Sequence, residues 1–172
     1  MELRNETAVN VATLLQDEIG SRRTYALRLD SFALDRDLSA ADVSGTFKLV
    51  RLRDEILAKV DVAGTVSLQC QRCLGEYRQP VATSFDEEFR QSVDVKNGAG
   101  LPEDVEDERF TIDENHELDI AEPLRQEILV ALPMRPTCGP DCPGPEKLEF
   151  GNEDDHDDRF AELAKLLERE RG

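Results

Sequence analysis

Period-two alternation dominates the first half of the chain. Val43, Gly45, Phe47, Leu49 and Arg51 fall on one side, separated by polar or small residues. The pattern resumes at Ile56-Leu57-Ala58-Lys59-Val60-Asp61-Val62, after Arg53-Asp54-Glu55. Alternation of this kind predicts half-buried strands. Two runs about a short polar turn predict a hairpin, although the turn lacks Asn-Gly. Thr65, Val66 and Leu68 extend the second arm towards Cys70, or form a third strand after Gly64. Tyr25, Leu27 and Leu29 predict a strand before the hairpin. Val81, Thr83, Phe85 and Phe89 predict another after it, and Phe110 with Ile112 a short one.

Helical spacing is confined to three places. Val11, Leu14, Leu15 and Ile19 predict a short helix from Glu6 to Ile19, stopped by Gly20-Ser21. Asp119 reads as a helix cap with Glu122 as the capping-box carboxylate and Pro123 in the first turn. That helix carries Ile120, Leu124, Ile128 and Leu132 on one face, widened by Leu129 and Val130, and ends at Pro133. A last amphipathic helix is expected at about 157–170, with Phe160, Leu163, Leu166 and Leu167 as its apolar stripe. Residues 94–108 are expected to form an acidic, mobile loop. These elements predict an α+β fold: an antiparallel β-sheet or partly closed barrel with a few flanking helices, in one domain spanning 1–172.

Charge narrows the choice of partners. The chain has 21 Lys and Arg against 38 Asp and Glu, a net charge of −17. Such a surface repels a phosphate backbone and favours basic proteins, although acidity alone also serves solubility. The segment Arg22–Arg78 is the exception, with ten basic and eight acidic residues and hence a net +2. If RNA is touched, Arg22, Arg23, Arg51, Arg53, Arg72 and Arg78 are the candidate contacts. No run approaches the roughly 18–20 apolar residues of a membrane span. The charged N-terminus has no signal-like apolar stretch, so a cytoplasmic protein is expected.

All four cysteines fall into two close pairs, Cys70-Gln71-Arg72-Cys73 and Cys138-Gly139-Pro140-Asp141-Cys142. Zinc takes four thiolates in a tetrahedron, and two short-spaced pairs supply two each. Cys70, Cys73, Cys138 and Cys142 are therefore the candidate metal ligands, with zinc the candidate cofactor. The spacing leaves other readings open: a disulfide across the pairs, a redox thiol, or pairs that never meet. His116 and His156 sit in acidic, loop-like surroundings and read as surface residues.

Three segments together resemble the YceD family of large ribosomal RNA subunit accumulation proteins. They are Leu68-Gln69-Cys70-Gln71-Arg72-Cys73-Leu74, the stretch from Leu118 through Ala131-Leu132-Pro133 to Cys138, and Asp158-Arg159-Phe160-Ala161-Glu162-Leu163. The resemblance implies a role in producing or stabilising the large-subunit (23S) ribosomal RNA. It also implies a large-subunit ribosomal protein or assembly factor as partner, with rRNA itself as a further one. The chain departs from many members in having no cysteine after Cys142, which excludes a second metal cluster in the tail.

The leading expectation is thus a non-enzymatic factor in ribosome biogenesis that acts through protein partners. The alternative is a zinc-binding module that contacts RNA directly. An enzyme is disfavoured: four thiolates would close the metal site, and the chain carries no phosphate-binding loop and no nucleophile elbow.

Overall fold

In the computed structural model we describe residues 2–95, 98–101 and 109–145. Compactness divides the chain into Met1–Cys142 and Pro143–Gly172. The expected helix at 157–170, His156 and most of the acidic stretch at 94–108 lie outside the described residues.

The alternating runs become four long strands: β3 (Arg22–Asp35), β4 (Leu38–Arg51), β5 (Glu55–Gln69) and β6 (Glu76–Gln91). They pair antiparallel in chain order. The β4–β5 hairpin closes as its pattern predicts, with the Leu52 N–H donating to the Glu55 carbonyl at 2.9 Å. β5 runs unbroken through Gly64, so Thr65, Val66 and Leu68 belong to the second arm.

Two three-residue strands flank this meander, both in parallel register. β1 (Glu2–Arg4) adds to β3, and β7 (Phe110–Ile112) adds to the far end of β6. The six-stranded sheet therefore runs β1-β3-β4-β5-β6-β7 with two separate edges. It is open, which corrects the partly closed barrel: β1 and β7 are not paired to each other. β2 (Ala8–Asn10) and β8 (Glu117–Asp119) form a second, two-stranded antiparallel sheet.

Strands β3, β4 and β5 each bury one face, and β6 buries Val81 and Phe89 on the same side. Tyr25, Leu27 and Leu29 of β3, Phe47 and Leu49 of β4, Ile56, Ala58 and Val60 of β5, and Phe89 of β6 are buried on the inner face. Helices α1 (Ala12–Gln16) and α2 (Ala121–Ala131) add Leu14, Leu15, Leu124 and Ile128 to the same core. Burying one such side chain contributes about 1.5–3 kcal/mol. Helix α2 touches both β6 and β3. Among the described residues no charged or polar side chain is buried as a whole.

Two helical expectations need correction. The first helix covers only Ala12–Gln16, because Ala8–Asn10 pairs instead with Glu117–Asp119. The Asn10 side-chain oxygen accepts from the Ala12 N–H at 3.1 Å, starting the helix late, and Ile19 lies exposed beyond its end. In the second, Asp119 accepts the Ala121 N–H at 2.8 Å, but Glu122 does not reach back. It pairs with Arg125 one turn on, at 2.6 Å. Ile120, Leu124 and Ile128 are buried as expected, whereas Val130 is 80% exposed and widens nothing.

Candidate metal centre

The four cysteines converge at one end of the sheet. Cys70 follows the last residue of β5, and the chain turns tightly there: the Leu74 N–H donates to the Cys70 carbonyl and the Cys70 N–H to the Gly75 carbonyl, each at 2.9 Å. The turn requires a left-handed residue, and Leu74 fills that place at φ 59° with its side chain in solvent. A leucine there is strained where glycine would not be. The second pair sits past α2, in a Gly/Pro-rich loop where Gly139 has φ 113°. One main-chain bond joins the two loops, from the Gln71 N–H to the Pro136 carbonyl at 2.9 Å.

This docking brings the sulfurs together across the loops. Cys70 Sγ lies 3.7 Å from Cys142 Sγ, and Cys73 Sγ 3.8 Å from Cys138 Sγ. All four sulfurs fall within 4.8 Å of one another. With zinc–sulfur bonds of about 2.3 Å, a tetrahedron sets its sulfurs about 3.8 Å apart. The donor set and its spacing therefore fit a four-thiolate metal ion. The same arrangement removes the reading in which the pairs never meet.

The polar surroundings suit anionic sulfur. The N–H groups of Arg72 and Cys138 both point at Cys70 Sγ, at 3.4 Å. Backbone N–H groups of Cys73 and Arg72, working against burial, bring the Cys70 thiol down to about 6. Cys138 is pushed up to about 12, first by its hydrogen bond with Cys142 and then by desolvation. Without a cation, then, the cluster holds one sulfur ready to ionise and another firmly protonated. A divalent ion reverses the second preference, because it coordinates thiolates. Cys70 is fully buried and Cys138 exposed, so the cluster opens to solvent on the side of the second loop.

The six arginines proposed for RNA do not share a surface. Arg22, Arg23, Arg51 and Arg53 lie at the end of the sheet formed by the start of β3 and the β4–β5 turn, whereas Arg72 and Arg78 lie at the cysteine end. Three are already engaged within the chain. Arg23 pairs with Asp17 at 2.8 Å, Arg78 reaches Asp42 and Thr65, and Arg51 is half-buried, donating to the Leu14 carbonyl at 3.4 Å. Arg4 and Arg28, which are not among the six candidates, are set side by side by β1. Only the pairing of a three-residue strand reveals them, and so short a run carries no periodicity of its own.

Comparison with known proteins comes to bear on this geometry. A family model described as Large ribosomal RNA subunit accumulation protein YceD matches residues 58–167, which include both cysteine pairs and α2. An uncharacterized protein of Mycobacterium bovis and two of Mycobacterium tuberculosis are each 28% identical over 148 residues, covering 76% of this chain and 67% of theirs. No solved structure matches. No helix among the described residues is long and apolar enough to cross a membrane.

Proposed function

The chain belongs to the YceD family, named for accumulation of the large ribosomal RNA subunit, and from that premise we propose a non-enzymatic factor that supports accumulation of the large-subunit (23S) RNA in the cytoplasm. The observation that carries the reading is the family match across the cysteine clasp and α2, the part of the chain least explained by the needs of a sheet. The proposed mechanism is adaptor-like. The acidic surface holds a basic large-subunit ribosomal protein or assembly factor, while the less acidic meander faces the RNA. Zinc at Cys70, Cys73, Cys138 and Cys142 would act structurally, tying the β5–β6 turn to the loop after α2. Four sulfur ligands leave no open coordination position for a reacting water.

Affinity purification of the full chain at low salt tests the reading. Recovery of a basic large-subunit ribosomal protein, or of large-subunit precursor particles, is expected. Recovery of neither, together with unchanged large-subunit RNA in cells lacking the protein, would overturn it.

A further inference from the structure

The outer face of the large sheet is bare among the described residues, and its β1–β3–β4 side is built unlike the rest of this acidic chain. Leu3 and Leu27, register partners in the parallel β1–β3 pair, both point into the core. The next partners, Arg4 and Arg28, therefore share the outer face, exposed and adjacent. Neither guanidinium has a hydrogen-bond or ion-pair partner among the described residues.

Side-by-side like charges in neighbouring strands are destabilising unless something answers them. Here the fold enforces the arrangement. Asn5 takes a left-handed conformation at φ 56°. It is held in both directions by Asp30: its side-chain oxygen accepts from the Asp30 N–H at 2.8 Å, and its amide donates to the Asp30 carboxylate at 3.0 Å. The Asn5 N–H also donates to the Arg28 carbonyl at 2.8 Å. These three bonds lock β1 in the register that juxtaposes the arginines.

Ser44 lies opposite Arg28 on β4 and completes a row of Arg4, Arg28 and Ser44. An open depression of about 220 Å³ lies at this row, bounded also by Leu29, Asp30 and Asp42. Asp42 is paired with Arg78 at 3.3 Å, while Asp30 accepts from the Asn5 amide at 3.0 Å and keeps its charge. Along the same face the side chains between the charges are short: Thr24, Ala26 and Thr46. Lys48 stands four residues along β4 from Ser44, a distance of about 13 Å. Arg22 lies beyond it on β3. The acids on these three strands are Glu2, Asp30, Asp35 and Asp42.

We propose that this outer face is a docking surface for an RNA strand, with Arg4, Arg28 and Ser44 seating one backbone phosphate and Lys48 and Arg22 meeting the strand further along. Two guanidiniums and a hydroxyl match the oxygens of one phosphate. Short side chains let the strand approach the sheet closely, and a second basic point about 13 Å away suits a ligand whose charge repeats along its length. The choice of RNA over an acidic protein segment rests on the ribosomal-RNA reading above.

The test is fluorescence anisotropy of a short labelled single-stranded oligonucleotide of large-subunit rRNA sequence, titrated with the full chain across a salt series. Arg4→Ala/Arg28→Ala is compared with a turn variant, Arg36→Ala/Arg135→Ala, which removes the same charge from the β3–β4 turn and the loop after α2. The first variant is expected to bind at least about tenfold more weakly at low salt. Its plot of log affinity against log salt should be shallower by about 0.7, the slope carried by one single-strand phosphate contact. The turn variant should keep the wild-type slope, and Arg4→Lys/Arg28→Lys should recover much of the affinity. Equal melting temperatures for all variants would show that the fold is intact.

Wild-type chain that fails to bind at low salt, variants that bind alike, or displacement of the RNA by poly-glutamate at equal charge would each overturn the proposal. A complementation assay separates this from the functional reading. If wild type restores large-subunit RNA in a strain lacking its own family member while both variants bind alike, only the surface is wrong. If wild type does not restore it, the ribosomal reading falls, and phosphate binding stands or falls on the titration.

Discussion

A Cβ placed on Gly45 would stand 2.0 Å from the Asp61 carbonyl oxygen and 2.7 Å from the Val62 Cα, both backbone atoms of the neighbouring strand. Gly45 is thus the point where β4 and β5 approach too closely for any side chain, three residues past Asp42, which sits at φ 54° in the bulge between Ala41 and Ser44. Gly45→Ala is expected to cost on the order of 3 kcal/mol, read as a lower urea midpoint at an unchanged slope. Glu122 makes a different kind of prediction. Hydrogen bonds from Arg125 and then Gln126 lower its carboxyl from the ordinary 4.5 to about 2. Its folded value lies below its unfolded one, so its contribution is present above pH 4.5 and fades as pH falls towards 2. Melting temperatures of wild type and Glu122→Gln should therefore differ at neutral pH and converge at about pH 2. Gly45 was legible in the sequence only as one position in an alternating pattern. What it meets across the strand was not.

At the scale of elements, the long strands were legible because one face of each is buried, which writes a period of two into the residues. Tyr25, Leu27 and Leu29, and likewise Phe47 and Leu49, show it plainly. The short elements were not. Ala8–Asn10 looks helical beside Val11, Leu14 and Leu15, yet its partner is Glu117–Asp119, more than a hundred residues away. Local periodicity carries no record of such a pairing. The cysteine loops fall between these cases: each pair was visible, while their union depends on the Gln71-to-Pro136 bond and on where α2 ends. If zinc holds the clasp, protein purified without added metal should carry about one ion per chain, with its thiols protected. Removing the metal with a strong chelator should lower stability by about 4 kcal/mol when free zinc had stood at a thousandfold its Kd. Amide exchange should then quicken in 70–75 and 134–142, while β3 to β5 stay protected. Cys142→Ser should reproduce that pattern without chelator.

For the whole molecule, a net charge of −17 coexists with one face that gathers Arg4, Arg22, Arg28 and Lys48. Composition revealed the total and the mild basicity of residues 22–78, but not which side chains would share a face. The acidic remainder predicts that a complex with a basic ribosomal protein weakens at least about tenfold between 50 and 300 mM salt, since screening shortens the reach of exposed charges. Isothermal titration at the two ionic strengths checks this. The clasp has a further consequence, for timing. Its cross-loop pairs join residues 72 and 65 positions apart, and Cys142 is the last of the four to be made. A growing chain displays Cys70 and Cys73 long before either partner exists, so two ligands must wait, exposed, until translation has almost passed through the domain. If zinc holds the clasp, metal uptake becomes a closing step of manufacture, and a cell short of zinc would feel the shortage first in its newest copies, while those made earlier keep their clasps shut.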